Sequence, residues 1–198
     1  MAAMRRALLR TGIRLKYSEG FNPHPHISVA LPLPIGCGSA CELLDFKTQD
    51  ALMPDGLADM INASMPEGME ILEAYVSQRK FSSIAWVELR AVMHYGSEVP
   101  QQADKMIESC YSSESIVITK KTKRGITDID IAPHIRYMCV NLIDKNTMSM
   151  TIKASAQNPT INPENLLAAL TGEHAATRPD FARFTRVETF DNNLNVFR

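Results

Sequence analysis

Hydrophobic and polar positions alternate in short runs whose period switches between that of a helix and that of a strand. Met4, Ala7, Leu8 and Ile13 fall on one stripe with Arg5, Arg6 and Arg10 off it, which predicts a short helix over 3–11 ended by Thr11-Gly12. The stretch 18–26, SEGFNPHPH, breaks the pattern. Gly20, Pro23 and Pro25 forbid regular helix there, and Asn22-Pro23 favours a turn, so a rigid loop is expected. A strand over 27–31 follows, then a turn through Pro32, Pro34, Gly36 and Gly38, then a return strand over 42–47. Leu57, Met60 and Ile61 share one face of a helix over 55–64, and a strand is expected over 69–76.

After a linker over 77–84 the order restarts. A strand over 86–95 leads to a helix over 101–111 with Ala103, Met106, Ile107 and Cys110 at helical spacing. A strand over 115–119, a charged turn over 120–125 and an extended segment over 126–131 come next. A hairpin pairs 135–142 with 148–154 around Asp144-Lys145-Asn146. A helix over 163–170, with Pro163 in its first turn, and a strand over 181–190 complete the set. The expected fold is therefore α+β, with two ferredoxin-like (βαββαβ-type) halves at 1–80 and 81–198, the first lacking its N-terminal strand. The halves share an order of elements and no sequence repeat.

Composition narrows this little. At 198 residues the chain has room for one large domain or two small ones, at ~100–200 residues each. Its 45% hydrophobic and 22% charged residues exclude a disordered chain, a collagen or a coiled coil. A net charge of -1 creates no global field for nucleic acid. The four cysteines form no CxxC pair, so free thiols in a reducing compartment are expected. No window approaches the ~20 apolar residues of a membrane span, and the N-terminus lacks an apolar signal region. A cytoplasmic location without membrane contact is the expectation.

Candidate chemistry gathers in the loop. In an extended chain His24 and His26 share a face and reach one metal ion, and Cys37 and Cys41 follow across the hairpin. The other reading of these four is loop histidines and small thiols with no metal. Glu42 and Asp45, three apart, take opposite strand faces. Asp128 and Asp130 share a face, where ion pairs with Lys120 or Lys121 are expected. Positive charge is local: Arg5, Arg6, Arg10, Arg14 and Lys16 precede the loop, and Lys120, Lys121, Lys123 and Arg124 form a second cluster. Tyr17, Phe21 and Phe81 offer faces for base stacking. No Walker loop, dinucleotide fingerprint or nucleophile elbow is present, and no cofactor is expected.

Several segments together carry a resemblance. They are Arg5-Arg6-Ala7-Leu8-Leu9-Arg10, Tyr17-Ser18-Glu19-Gly20-Phe21-Asn22-Pro23-His24-Pro25 and Leu31-Pro32-Leu33-Pro34-Ile35-Gly36, with Ser39, Glu42 and Asp45. This pattern resembles the radical-SAM-linked family, a bacterial domain of unknown function found beside or fused to a radical S-adenosylmethionine protein. Fragments at 124–130 and 162–167 match its style. The resemblance implies a radical S-adenosylmethionine partner, and its genomic setting near RNA-processing genes implies RNA. Under that reading Arg5, Arg6 and Arg10 hold phosphates. Phe21, Asn22, His24 and His26 form a shaped loop, and Lys120, Lys121, Lys123 and Arg124 make a second RNA contact. Were RNA cut, His24 would be the acid/base and Tyr17 its neighbour. The remaining readings are an enzyme or metal protein centred on the loop, and a pure protein-interaction module. The family usually carries arginine where this chain has His26, and a strand before the arginine-rich helix. That strand is central in such a sheet, so upstream residues, another chain or a homodimer through the open edge are expected to fill its place.

Overall fold

The computed structural model describes residues 2–122 and 125–198, and its fold is mixed α+β. The elements sort into two units. One holds the residues up to Pro32, Glu42–Phe81 and Arg198; the other holds Leu33–Cys41 and Ser82–Phe197.

In the first unit, α1 (Ala2–Arg10) buries Met4, Ala7 and Leu8 and leaves its arginines in solvent. Gly12, at φ 78°, ends it in the left-handed conformation that glycine adopts at little cost. The Thr11 hydroxyl donates to the Leu8 carbonyl at 2.6 Å. β1 (Ile27–Val29) is followed by β2 (Gly38–Ser39), which belongs to the second unit, and by β3 (Leu44–Phe46), which pairs antiparallel with β1. α2 (Leu57–Asn62) completes the unit. Leu8, Ile13, Leu15 and Ile61 are its buried core, with Ile27, Phe46 and Ile71 half-buried against them.

The strand expected over 69–76 does not form. No strand among the described residues lies alongside it to supply a ladder. The side chain of Asn62 substitutes at one residue only: its Nδ2 donates to the Ile71 carbonyl at 2.9 Å, and its Oδ1 accepts the Ile71 N–H at 2.7 Å. One amide clamp holds one residue extended, whereas a strand needs the repeat.

The second unit follows its alternation closely. β4 (Trp86–His94), α3 (Ala103–Tyr111), β5 (Val117–Thr122), β6 (Gly125–Asp130), β7 (Ile135–Asp144), β8 (Thr147–Ser155), α4 (Pro163–Ala169) and β9 (Phe181–Phe190) come in that order. Its main sheet runs β2-β9-β4-β8-β7, antiparallel throughout except for β2 beside β9. Leu89, Ala91 and Met93 of β4 and Met148, Met150 and Ile152 of β8 are buried, while Arg90 and His94 point to the opposite face. α3 packs against β7 of this sheet and α4 against β5. The two helices are joined by the Tyr111 hydroxyl, which donates to the Leu166 carbonyl at 2.7 Å. Tyr95 donates to the Thr177 carbonyl at 2.8 Å, and burial pushes its phenol up to about 12. Asn162 and Asn165 form a capping box at the start of α4, with Pro163 in the first turn.

Part of the charged turn expected over 120–125 is strand, and Lys123 and Arg124 lie outside the described residues. Lys120 and Lys121 belong to the ladder, opposite Thr127 and Ile126. Lys120 donates to the Thr160 carbonyl at 3.2 Å. Asp128 accepts the Thr119 hydroxyl at 2.8 Å. Asp130 accepts the N–H groups of Ile116 and Ala132 at 2.8 and 3.0 Å, which hold its carboxyl below the usual range. It serves as a backbone staple at the strand end. No helix among the described residues is long and apolar enough to cross a membrane.

Candidate nucleic-acid interface

Residues 14–18 cross the ends of β1 and β3 and join both. Leu15 bridges Thr48, and Tyr17 bridges Pro25. Three backbone bonds close a ring at the junction. The Lys16 N–H donates to the Lys47 carbonyl at 2.8 Å, Lys47 to His26 at 3.0 Å, and His26 back to Lys16 at 2.9 Å.

Alternation then sorts the side chains. Leu15 is buried, and Ile27 and Phe46 pack against the same core. Their neighbours Lys16, His26 and Lys47 therefore project together from the outer face and are exposed. His24 shares that face, two residues from His26 and exposed. Its N–H is held by the Ser18 hydroxyl at 3.0 Å, and its carbonyl by the Ser18 N–H at 2.8 Å. These bonds pin the base of the loop. Beyond them Gly20, at φ 114°, turns the chain, and Phe21 stands fully out in solvent, with Asn22 exposed beside it. Asp45, opposite Ser28, is the acid on this face, and burial raises its carboxyl above the ordinary range. Arg14 does not add free charge, because Asp50 grips it with two bonds of 2.7 Å.

The other candidate residues are placed elsewhere. Tyr17 faces Pro25 on the side opposite His24 and is not set beside it as an acid/base partner. Arg5, Arg6 and Arg10 are exposed on α1, which packs against the inner side of the hairpin, so they form a separate basic row. Lys120 lies in the second unit. Lys123 and Arg124, with the side chain of Lys121, fall outside the described residues. Cys37 and Cys41 also belong to the second unit: the Cys37 thiol donates to the Gly38 carbonyl and the Cys41 thiol to that of Arg186. Among the described residues no three His, Cys, Asp or Glu side chains gather as a metal site. Lys16 was part of the basic run before the loop, and Lys47 is the face residue that the sequence did not single out. The signal was present in Leu15-Lys16-Tyr17 and Phe46-Lys47-Thr48, but the register that joins them was not.

Compared with known families, residues 1–163 match one described as an uncharacterized protein conserved in bacteria (DUF2344). The chain belongs to this family. The DUF2344 match takes in the whole loop, the Lys16–His26–Lys47 ring and the sheet as far as the first residue of α4. No curated protein matches the chain.

Proposed function

We propose that this chain is an accessory RNA-binding module that presents its substrate to a radical S-adenosylmethionine partner. The outer face of the first unit is the contact. The observation that carries this reading is the backbone ring, which holds two lysines and a histidine on one rigid face below a fully exposed phenylalanine. Lysine charges take phosphates, and a ring free on both sides takes a base by stacking, worth about 1–3 kcal/mol per base. Rigid presentation favours both, because little ordering entropy is lost on binding. The partner rests on the sequence resemblance. Reading the second unit as ferredoxin-like is part of the same proposal, supported by the strand order β9-β4-β8-β7 with α3 packed against β7. The first unit keeps only the helix–hairpin–helix part of that plan.

The test is ultraviolet crosslinking in cells, purification and sequencing of attached RNA. Recovery of a defined RNA class, lost in Lys16→Glu with Lys47→Glu, is the expected result. Protein free of RNA even at low salt would remove the proposal.

A further inference from the structure

The second unit carries an open sheet face that the first unit's site does not use. On the side of the sheet opposite the buried Leu89, Ala91 and Met93 stand Arg90 and His94 of β4, Arg183 and Phe181 of β9, and Tyr137 of β7, all exposed. Between them β8 presents Ser149 and Thr151, both half-buried. Phe181 and His94 stack at 6.0 Å with their planes 24° apart, so one end of the face is a ready aromatic step. Phe181 is nonetheless 56% exposed and Tyr137 50% exposed. The two rings sit on strands three steps apart and six residues apart along β4, at opposite corners of the face and roughly 24 Å from each other at ~4.8 Å per strand and ~3.3 Å per residue.

Charge is uneven along the face: Glu88 and Glu188 oppose each other at one end, and Arg90 and Arg183 lie toward the Phe181 end. Lys153 is paired with Glu88 at 3.6 Å. Among the described residues no carboxylate pairs with Arg90 or Arg183. An antiparallel sheet with one covered face normally alternates polar residues of both signs on the other. Here two unpaired guanidinium groups lie between separated aromatic rings and a row of hydroxyls. That combination suits a flexible polyanion whose bases can splay and stack, which is single-stranded nucleic acid and not a duplex.

We propose that this sheet face is a second platform for single-stranded RNA. Bases stack on the Phe181–His94 pair and on Tyr137, and phosphates lie against Arg90 and Arg183. This rests on the reading of the chain as an RNA-binding module and adds a site in the other unit. It also assigns β9, which lies beyond the family match, a direct role in binding.

The test measures fluorescence anisotropy of a labelled oligouridine of about 12 nucleotides, with 4-thiouridine crosslinks mapped to peptides. Phe181→Ala and Tyr137→Ala leave the charge unchanged, and Arg90→Glu with Arg183→Glu reverses it. Each is checked for folding by circular dichroism, and a variant that fails the check is replaced by Phe181→Leu or Arg183→Gln. Each of the two truncations is expected to weaken binding about fivefold or more. The double reversal should lower the slope of log affinity against log salt by about 1.4, at ~0.7 per phosphate contact. Crosslinks should fall in peptides holding Phe181 or Tyr137. Unchanged affinity in these variants, with crosslinks confined to 14–26 and 44–49, overturns the second platform and leaves the loop site standing. Equal affinity for a duplex of the same length also overturns it. An unmodified chain that binds no oligouridine removes both sites.

Discussion

The two units hold their shape by different means. The second rests on ladders: β4 is bonded along its length to both β8 and β9, and buried residues at every other position lock the register. The first has a hairpin of three residue pairs and a small core centred on Leu8, Ile13, Leu15 and Ile61. Its remaining order comes from single devices, namely Gly12, Gly20, the Ser18–His24 bonds, the Asn62 clamp and the backbone ring at Lys16. Repetition makes a tolerant scaffold. Single devices make a surface whose shape can be lost at one residue, and loops of this kind commonly carry binding residues on a rigid base.

The sharpest way to break this contrast is at the centre of the ladder. Ile152→Ala, at a fully buried position, is expected to cost about 2–5 kcal/mol. Amide exchange should show protection lost across β4, β8 and β9 together. The same truncation at the half-buried Leu57 should cost only about 1 kcal/mol. Equal losses at both sites would remove the distinction between the units.

A smaller and more local effect is expected at Gly20. A Cβ there meets nothing within 4 Å, yet φ 114° lies where L residues are strained. Gly20→Ala should therefore cost about 1–3 kcal/mol through backbone torsion alone. Exchange should rise in the loop while the second unit's melting is unchanged. A loop as protected as before would mean that the Ser18 bonds, not glycine, set its shape.

The smallest effect belongs to Tyr95. Tyr95→Phe should cost about 1–2 kcal/mol by leaving the Thr177 carbonyl without its donor. Its folded value, about 12, lies above the ordinary 10.0, so the native state retains a proton that the unfolded chain releases. The stability Tyr95 contributes is whole below pH 10 and drains between 10 and 12. Denaturation followed over that window should fall more steeply in the unmodified chain than in Tyr95→Phe. Parallel curves would show that this phenol is not the group responsible.

These differences also explain what could be read from the residues. Trp86–His94, Thr147–Ser155 and Phe181–Phe190 alternate over nine or ten residues and form strands close to the expected bounds. Residues 69–76 alternate less cleanly and have no ladder partner, so a local pattern met no tertiary support. At the site, prolines and glycine announced a rigid loop, and His24, His26 and Phe21 were legible within it. Lys47 was not, because its place beside Lys16 depends on a long-range crossing that no local pattern encodes. Nor was the separation of Arg5, Arg6 and Arg10 from the loop, which follows from the side of the hairpin that α1 covers.

The most direct measurement is RNA affinity as a function of salt for the unmodified chain and for Lys16→Glu with Lys47→Glu. Both lysines are exposed, so folding should be preserved. The expected result is at least a tenfold loss of affinity, with the logarithmic salt slope reduced by about 1.4. Unchanged affinity and slope in a folded variant would contradict the assignment of this face as the RNA contact.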